Sequence, residues 1–341
     1  MYDSDTTTVT NALKGSNSAV FSDQTISKIL ALTASDNNTV RFDQVTATGG
    51  DVTVASGTGI VHVGSSATQQ TQINVTQDAP VWIFEGAGGV NATINAGVAP
   101  GGSNMLERVL IHSSGADNFF IGDNWNTEII IGANDTVTGG AGNDTVIAGS
   151  GNSTVIGGSG YTIVELAGND SDYEVTVVDG RAVVTNTETG VTTDISNSQF
   201  VQLDDGEALV FAKDSMEAAI ASLYETTFGR AADASGLKFW FDRARDGLTL
   251  EEIADAFTQV AEFEDIAERN DEEFVNALYQ QTFGRDADDG GLAFWTNQLE
   301  NGADRGDILE AFANLSAAQI DGSEDGETTI IGSITIVPGI V

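Results

Sequence analysis

Short apolar runs separated by turn formers dominate the first half of the chain. Runs at 52–54, 60–63, 73–75, 81–84, 109–111, 119–121 and 129–131 are rich in β-branched residues, and Gly, Asn or Asp flank several of them. Recurrence near every ten residues predicts short strands stacked as the rungs of a parallel β-solenoid over 36–165. A sandwich would also be built from short strands, and the spacing before residue 105 is irregular. From 113 the period tightens to nine. Asp117, Asn126, Asp135, Asp144, Ser153 and Thr162 fall nine apart, and two positions after each come Phe119, Glu128, Val137, Val146, Val155 and Val164. Glu128 alone breaks the apolar column, and its neighbours Ile129 to Ile131 offer a slipped register.

The texture changes twice more. Over 170–211, Tyr173, Val175 and Val177, then Ala182 and Val184, alternate around Asp179-Gly180, a hairpin signal. After residue 214 the apolar period becomes helical and the chain repeats itself at an offset of 55, from Leu223-Tyr224 to Leu278-Tyr279. Phe228-Gly229-Arg230, Asp233, Gly236-Leu237 and Phe239-Trp240 recur as Phe283-Gly284-Arg285, Asp288, Gly291-Leu292 and Phe294-Trp295. Thr249 with Glu252 has capping-box spacing, and Asp304 with Asp307 repeats it with acids. Asp233 and Asp288 read as helix caps, the repeated aromatics as helix-packing core, and Arg230 and Arg285 as partners of nearby acids or helix-end carbonyls. The expected fold is multidomain β plus α: an N-terminal segment (1–35), a parallel β-solenoid ending in a nonapeptide β-roll (36–165), a small flanking β segment (166–212), and an all-α C-terminal domain of two repeats (213–267 and 268–320). A tail (321–341) begins with an acidic loop and ends in strand-like residues, suited to a secretion signal or an assembly strand.

Charge narrows the partners. The 341 residues hold 51 Asp and Glu against 13 Lys and Arg, a net charge of -38. Such a chain repels phosphate backbones and anionic lipid, so neither nucleic acid nor a membrane surface is expected as a partner, and cations are. Solubility, or adaptation to high salt, explains the same charge without a ligand. With no cysteine, disulfides and thiolate sites are excluded. The only histidines are His62 and His112, too few for a zinc site unless carboxylates complete it. The start, Met-Tyr-Asp-Ser-Asp-Thr-Thr, lacks the basic and apolar stretches of a cleaved signal peptide, and no run of about 18 apolar residues would insert in a membrane. The chain is therefore expected either in the cytosol or exported by a route needing no N-terminal signal. Phosphate-binding loops, nucleophile elbows and His-Glu-x-x-His are missing, and no enzyme activity is expected. A carboxylate pair acting on a polysaccharide stays open, although residues 43–107 carry no Lys or Arg and only His62.

One stretch is loaded with chemistry. Gly139-Gly140-Ala141-Gly142-Asn143-Asp144-Thr145-Val146-Ile147 fits Gly-Gly-x-Gly-x-Asp-x-apolar-x at every position. Glycines allow a turn whose carbonyls converge, the aspartate adds a carboxylate, and an all-oxygen donor set favours Ca²⁺ over transition metals. The candidate ligating residues are Asp117, Asn126, Asp135, Asp144, Gly140, Gly142 and Asn143. A metal-free solenoid with Asp and Asn merely turning corners is the alternative.

These nonapeptides resemble the repeats-in-toxin (RTX, hemolysin-type) family, whose repeats form calcium-binding parallel β-rolls. In that fold residues 18 apart stack, which would place Asp117, Asp135 and Ser153 in one column and Asn126, Asp144 and Thr162 in another. The resemblance implies one to three Ca²⁺ ions, with the Ser153 and Thr162 positions weak or empty. Position one is His112, Ile121, Ile130 and Ala148 in other repeats, departures from the family's glycine. The helical pair looks like an uncharacterised domain of secreted calcium-binding bacterial proteins and is similar to phycobilisome linker domains. Together these resemblances imply type I secretion to the extracellular space or cell surface through an uncleaved C-terminal signal. The expected role is a non-enzymatic structural protein that assembles with copies of itself into a surface layer, fibre or matrix. An adhesin holding a cell-surface glycan, or ice, through a Thr-rich face (Thr53, Thr136, Thr145, Thr154) is one alternative, and a polysaccharide-acting solenoid enzyme is another.

Overall fold

A computed structural model of the chain describes residues 2–18, 20–99, 105–112, 114–204, 208–212, 214–230, 232–321, 329–331 and 334–338. Its contacts divide into two units, Met1–Leu166 with Val184–Ser198, and Ala167–Val183 with Gln199–Val341.

The first unit is a parallel β-solenoid. It opens with β1 (Tyr2–Asp5), α1 (Thr6–Ser16) and α2 (Asp23–Thr33). The rungs follow: β2 (Thr39–Thr46), β3 (Gly50–Val52), β4 (Ile60–Gly64), β5 (Thr71–Val75), β6 (Val81–Glu85), β7 (Val90–Ile94), β8 (Arg108–Ile111), β9 (Asn118–Ile121), β10 (Thr127–Ile130), β11 (Asp135–Thr138), β12 (Asp144–Ile147), β13 (Ser153–Ile156) and β14 (Thr162–Glu165). After β15 (Tyr173–Val178) and β16 (Arg181–Asn186), β17 (Thr192–Ser196) returns to the stack. Even-numbered strands from β2 to β14 pair in parallel as one sheet. Odd-numbered strands from β3 to β13, then β17, form the other.

Because side chains alternate along a strand, every second residue points between the sheets. One inward column runs Val61, Trp82, Leu110, Ile129, Val146, Val164, and the facing one runs Ile73, Ala92, Phe119, Val137, Val155, Ile195. All are buried, and Phe84 meets Phe119 across the gap at 5.3 Å between ring centroids.

The N-terminal segment, which carried no structural expectation, covers the outside of the first sheet. Val9 and Leu13 of α1 and Ile26 and Ile29 of α2 pack with Ile60, Val81, Val109 and Ile130. This cover explains why Val81 to Phe84 are buried on both faces. Both helices are capped: Asp5 accepts the Thr8 N–H at 2.9 Å, and Ser22 accepts that of Thr25 at 3.1 Å. At the sheet edge β1 pairs antiparallel with β2, closing one row of backbone groups.

One expected pairing is overturned. Ile129 stands opposite Val146 and Glu128 opposite Thr145, so the β10–β12 ladder is shifted by one residue from the 18-residue spacing. Asn126 therefore does not stack on Asp144; Thr127 does. In the unshifted register Glu128 would enter the apolar interior, a large desolvation cost for a carboxylate. In the register adopted, Ile129 fills that place with no exposure, and Glu128 turns under α2 to pair with Lys28.

In the second unit β18 (Phe200–Gln202) runs antiparallel to β19 (Ala208–Ala212), β19 pairs in parallel with β21 (Ile334–Pro338), and β20 (Thr329–Ile331) pairs antiparallel with β21. Between lie α3 (Ser215–Phe228), α4 (Ala234–Arg245), α5 (Leu250–Phe257), α6 (Glu264–Ala267), α7 (Asp271–Phe283), α8 (Asp289–Glu300) and α9 (Arg305–Asp321). The duplication is structural. Gly229 and Gly284 end α3 and α7 at φ of 65° and 63°, left-handed positions that favour glycine. Asp233 and Asp288 cap α4 and α8. Phe257 gathers the rings of Tyr224, Phe228 and Trp240 at 4.9, 5.6 and 5.4 Å, and Phe312 gathers Tyr279, Phe283 and Trp295 at 5.4, 5.9 and 5.2 Å. Arg230 clasps Glu262 through two hydrogen bonds of 2.7 and 2.8 Å. Asp205, Gly206 and the acidic loop after Asp321 lie outside the described residues.

Candidate metal centre

The complete nonapeptide forms the turn from β11 into β12. Asp144 is the first residue of β12, held at the corner where the chain re-enters the sheet. Its Oδ2 accepts the Gly140 N–H at 2.8 Å, while its Oδ1 is buried with no hydrogen-bond partner. Burial pushes this carboxyl up to about 7, against the pull of the Gly140 amide and the charge of Arg108. A buried carboxylate with one oxygen unsatisfied is unfavourable by itself and suits a hard cation.

The turn is built for close stacking. Ala141 N–H donates to Asp123 O and Ser159 N–H to Gly140 O, both at 2.9 Å, so successive turns form a ladder. A Cβ on Gly142 would run into the Trp125 carbonyl, and one on Gly160 into the carbonyl of Gly142. Glycine is thus required by the approach of backbone to backbone. Asn126 braces this turn from the rung below: its Oδ1 accepts the Asn143 N–H at 2.8 Å and its Nδ2 donates to Met105 O at 3.0 Å.

Arg108, Asp123 and Thr127, which sequence reading did not single out as ligands, share this corner. Arg108, Thr127, Asp144 and Thr162 are in register down the sheet. Arg108 donates to both Asp123 oxygens at 2.8 and 2.7 Å and to Thr127 Oγ1. A protein cation therefore stands one rung from Thr127 and two from Asp144. Arg108 and Thr127 are 19 residues apart, outside the nine-residue phase, so spacing carried no signal.

The second column lies on the other sheet. Asp117, Asp135, Ser153 and Thr193 stack in register, the first three as expected. Here the carboxylates tie rungs together: Asp117 Oδ1 accepts Val90 N–H at 2.7 Å, and Asp135 accepts Asp117 N–H at 2.8 Å and Gly132 N–H at 2.6 Å. Burial pushes the Asp135 carboxyl up to about 6, the amides of Asp117 and Gly132 pull it down, and the Asp117 charge adds to the rise. His112 joins this pair, with ligand atoms of all three within 4.8 Å of one another. The chain thus divides the predicted ligands: Asp117 with Asp135 on one sheet, and Asp144, Gly140, Gly142, Asn143 and Asn126 around one turn on the other. The donors at the Asp144 turn fit calcium: one carboxylate oxygen is buried and unsatisfied in a turn whose glycines admit no side chain.

The threonines expected on one face are divided as well. Thr136 and Thr154 are neighbours on β11 and β13, but Thr145 lies on β12 of the opposite sheet.

Residues 131–164, spanning Asp135, Asp144, Ser153 and Thr162, match the RTX calcium-binding nonapeptide repeat. Residues 210–267 and 266–318 each match a domain of unknown function, DUF4214. No curated protein and no solved structure matches the chain. RTX repeats bind calcium and mark a secreted protein, and no helix among the described residues is long and apolar enough to cross a membrane. The chain carries RTX calcium-binding nonapeptide repeats within a longer parallel solenoid, followed by a duplicated DUF4214 domain.

Proposed function

We propose that this protein is an extracellular structural subunit whose solenoid is completed by calcium and which joins copies of itself into a surface layer, fibre or matrix. The observation that carries the calcium part is the unsatisfied, buried Oδ1 of Asp144 in the complete nonapeptide turn. Calcium-poor conditions leave that corner strained by its own charge. Calcium binds the folded state alone and stabilises it by mass action. Sites in extracellular modules bind with Kd of about 10⁻⁴ to 10⁻³ M, which couples folding to arrival outside the cell.

Assembly draws on strand β20. It pairs with β21 on one side and stands at the edge of its sheet among the described residues, an edge able to accept another strand. Exchange of the β20–β21 hairpin between copies would keep the β19 ladder while linking two chains. Melting with and without chelator tests the first part, and light scattering in millimolar calcium tests the second. A full-length chain that melts identically in chelator loses the calcium reading. One that stays monomeric at high concentration with calcium present loses the assembly reading.

A second reading, adhesion to glycan, has one observation in its favour. Phe239 and Phe294, at equivalent places in the two helical repeats, are 43% and 54% exposed. The exposed ring of Phe294 suits a sugar face, whereas Arg243 already lies over Phe239, 3.4 Å from the ring centroid. Binding to immobilised glycans that is lost in Phe294→Ala, with no assembly in calcium, would favour it.

A further inference from the structure

We propose that His112, Asp117 and Asp135 form a second metal site, of mixed nitrogen and oxygen donors, that takes a divalent transition metal of the zinc class rather than calcium. The inference goes beyond the calcium reading, because it concerns a different rung, a different sheet and a different ion.

The ligand set decides the class. Calcium takes oxygen donors, whereas imidazole suits zinc and its neighbours. A chain with two histidines cannot build a site from imidazole alone, and here two carboxylates supply what is missing. His112 Nδ1 is buried without a hydrogen-bond partner and lies 3.8 Å from Asp135 Oδ2. That separation is too long for a hydrogen bond. It falls within the span of two ligands on one ion, since donors about 2.1 Å from a metal sit up to about 4.2 Å apart. Asp117 and Asp135 are 0% and 1% exposed, so neither carboxylate has bulk water to satisfy it.

The surroundings hold the ligands in place. Val90 N–H on Asp117 Oδ1, and the Asp117 and Gly132 N–H groups on Asp135, fix both carboxylates from behind, the support that metal-binding carboxylates need. Gly132 lies flat against the imidazole, and a Cβ there would collide with the ring. The His112 side chain keeps 18% of its surface open, so part of the ring reaches solvent while Nδ1 itself is buried. His112 occupies position one of its nonapeptide, where the complete repeat has Gly139. The departure from the repeat is thus the residue that supplies the nitrogen.

The test uses the full chain in millimolar calcium. Zn²⁺ is titrated by calorimetry, and Co²⁺ is added separately to read its visible ligand-field absorption. Wild type should bind one equivalent of Zn²⁺ and give a Co²⁺ spectrum. His112→Asn should weaken Zn²⁺ by at least about tenfold and abolish the spectrum. His62→Asn, on the surface beside Glu85, should change neither. Asp117→Asn, which keeps the side-chain shape, should behave as His112→Asn does, and serves if the histidine variant folds poorly. Wild type without Zn²⁺ binding, or His112→Asn binding as well as wild type, would overturn the proposal. The calcium-dependent rise in melting temperature should persist in His112→Asn. Its absence from wild type would sink the calcium reading, while the Zn²⁺ titration would still decide this one.

Discussion

Arg108 grips both carboxylate oxygens of Asp123, Nη1 to Oδ2 at 2.8 Å and Nη2 to Oδ1 at 2.7 Å, with the two side chains 1% and 0% exposed. The guanidinium also lies over Trp125, 5.4 Å from the ring centroid. Removing one partner strands a buried charge, which costs about 3–5 kcal/mol. Arg108→Met should destabilise the calcium-loaded protein by about that much in urea unfolding. The double variant with Asp123→Leu should recover a large part of the loss. A single variant as stable as wild type would show that the pair is reached by water.

Asp144 should behave in opposite ways with and without calcium. Asp144→Asn removes a buried charge that the Gly140 amide and Arg108 only partly offset, so in chelator it should melt no lower than wild type. With calcium it should lose much of the rise that wild type shows. Differential scanning calorimetry in both buffers checks this. An undiminished rise would move the calcium to another turn.

The pH dependence follows from the same groups. Folding raises the carboxyls of Asp144 and Asp135 from 3.8 to about 7 and about 6. A carboxyl raised by folding binds its proton more tightly when folded. Its contribution is therefore full below pH 3.8 and is lost as pH rises through 6 and 7. Metal-free protein should lose stability from about pH 4 to about pH 7 from these two sites. Calcium needs the ionised form of Asp144, so its added stabilisation should grow over the same range. Chemical unfolding at several pH values, with and without chelator, should give two curves that diverge upward in pH. Parallel curves would remove Asp144 from calcium binding.

Glycine substitutions should divide by backbone proximity. Gly142→Ala forces a methyl into the Trp125 carbonyl and should cost about 1–3 kcal/mol. Gly15→Ala, in helix α1 with open space around it, should gain about 0.5–1 kcal/mol through helix propensity. Both are read from urea midpoints in calcium. Equal effects would mean that the rungs do not approach as closely as their hydrogen bonds indicate.

The amino-acid order alone determined the local chemistry. The nine-residue phase of Asp117, Asp135 and Ser153 became a true ladder, because strand pairing preserves a period once its turns have equal length. The repeated Phe-Gly-Arg and Asp positions became matching helix ends, because caps depend on neighbours only a few residues away. What only the tertiary structure decided depends on distant segments. Lys28 of α2 meets Glu128 a hundred residues on, and burying Ile129 instead of a carboxylate shifts the register so that Thr127, not Asn126, stands beside Asp144. Arg108 reaches Asp123, and His112 reaches Asp135, across turns of unequal length. Such contacts are fixed by which charges can be desolvated together once the rungs close, and no spacing along the chain encodes that.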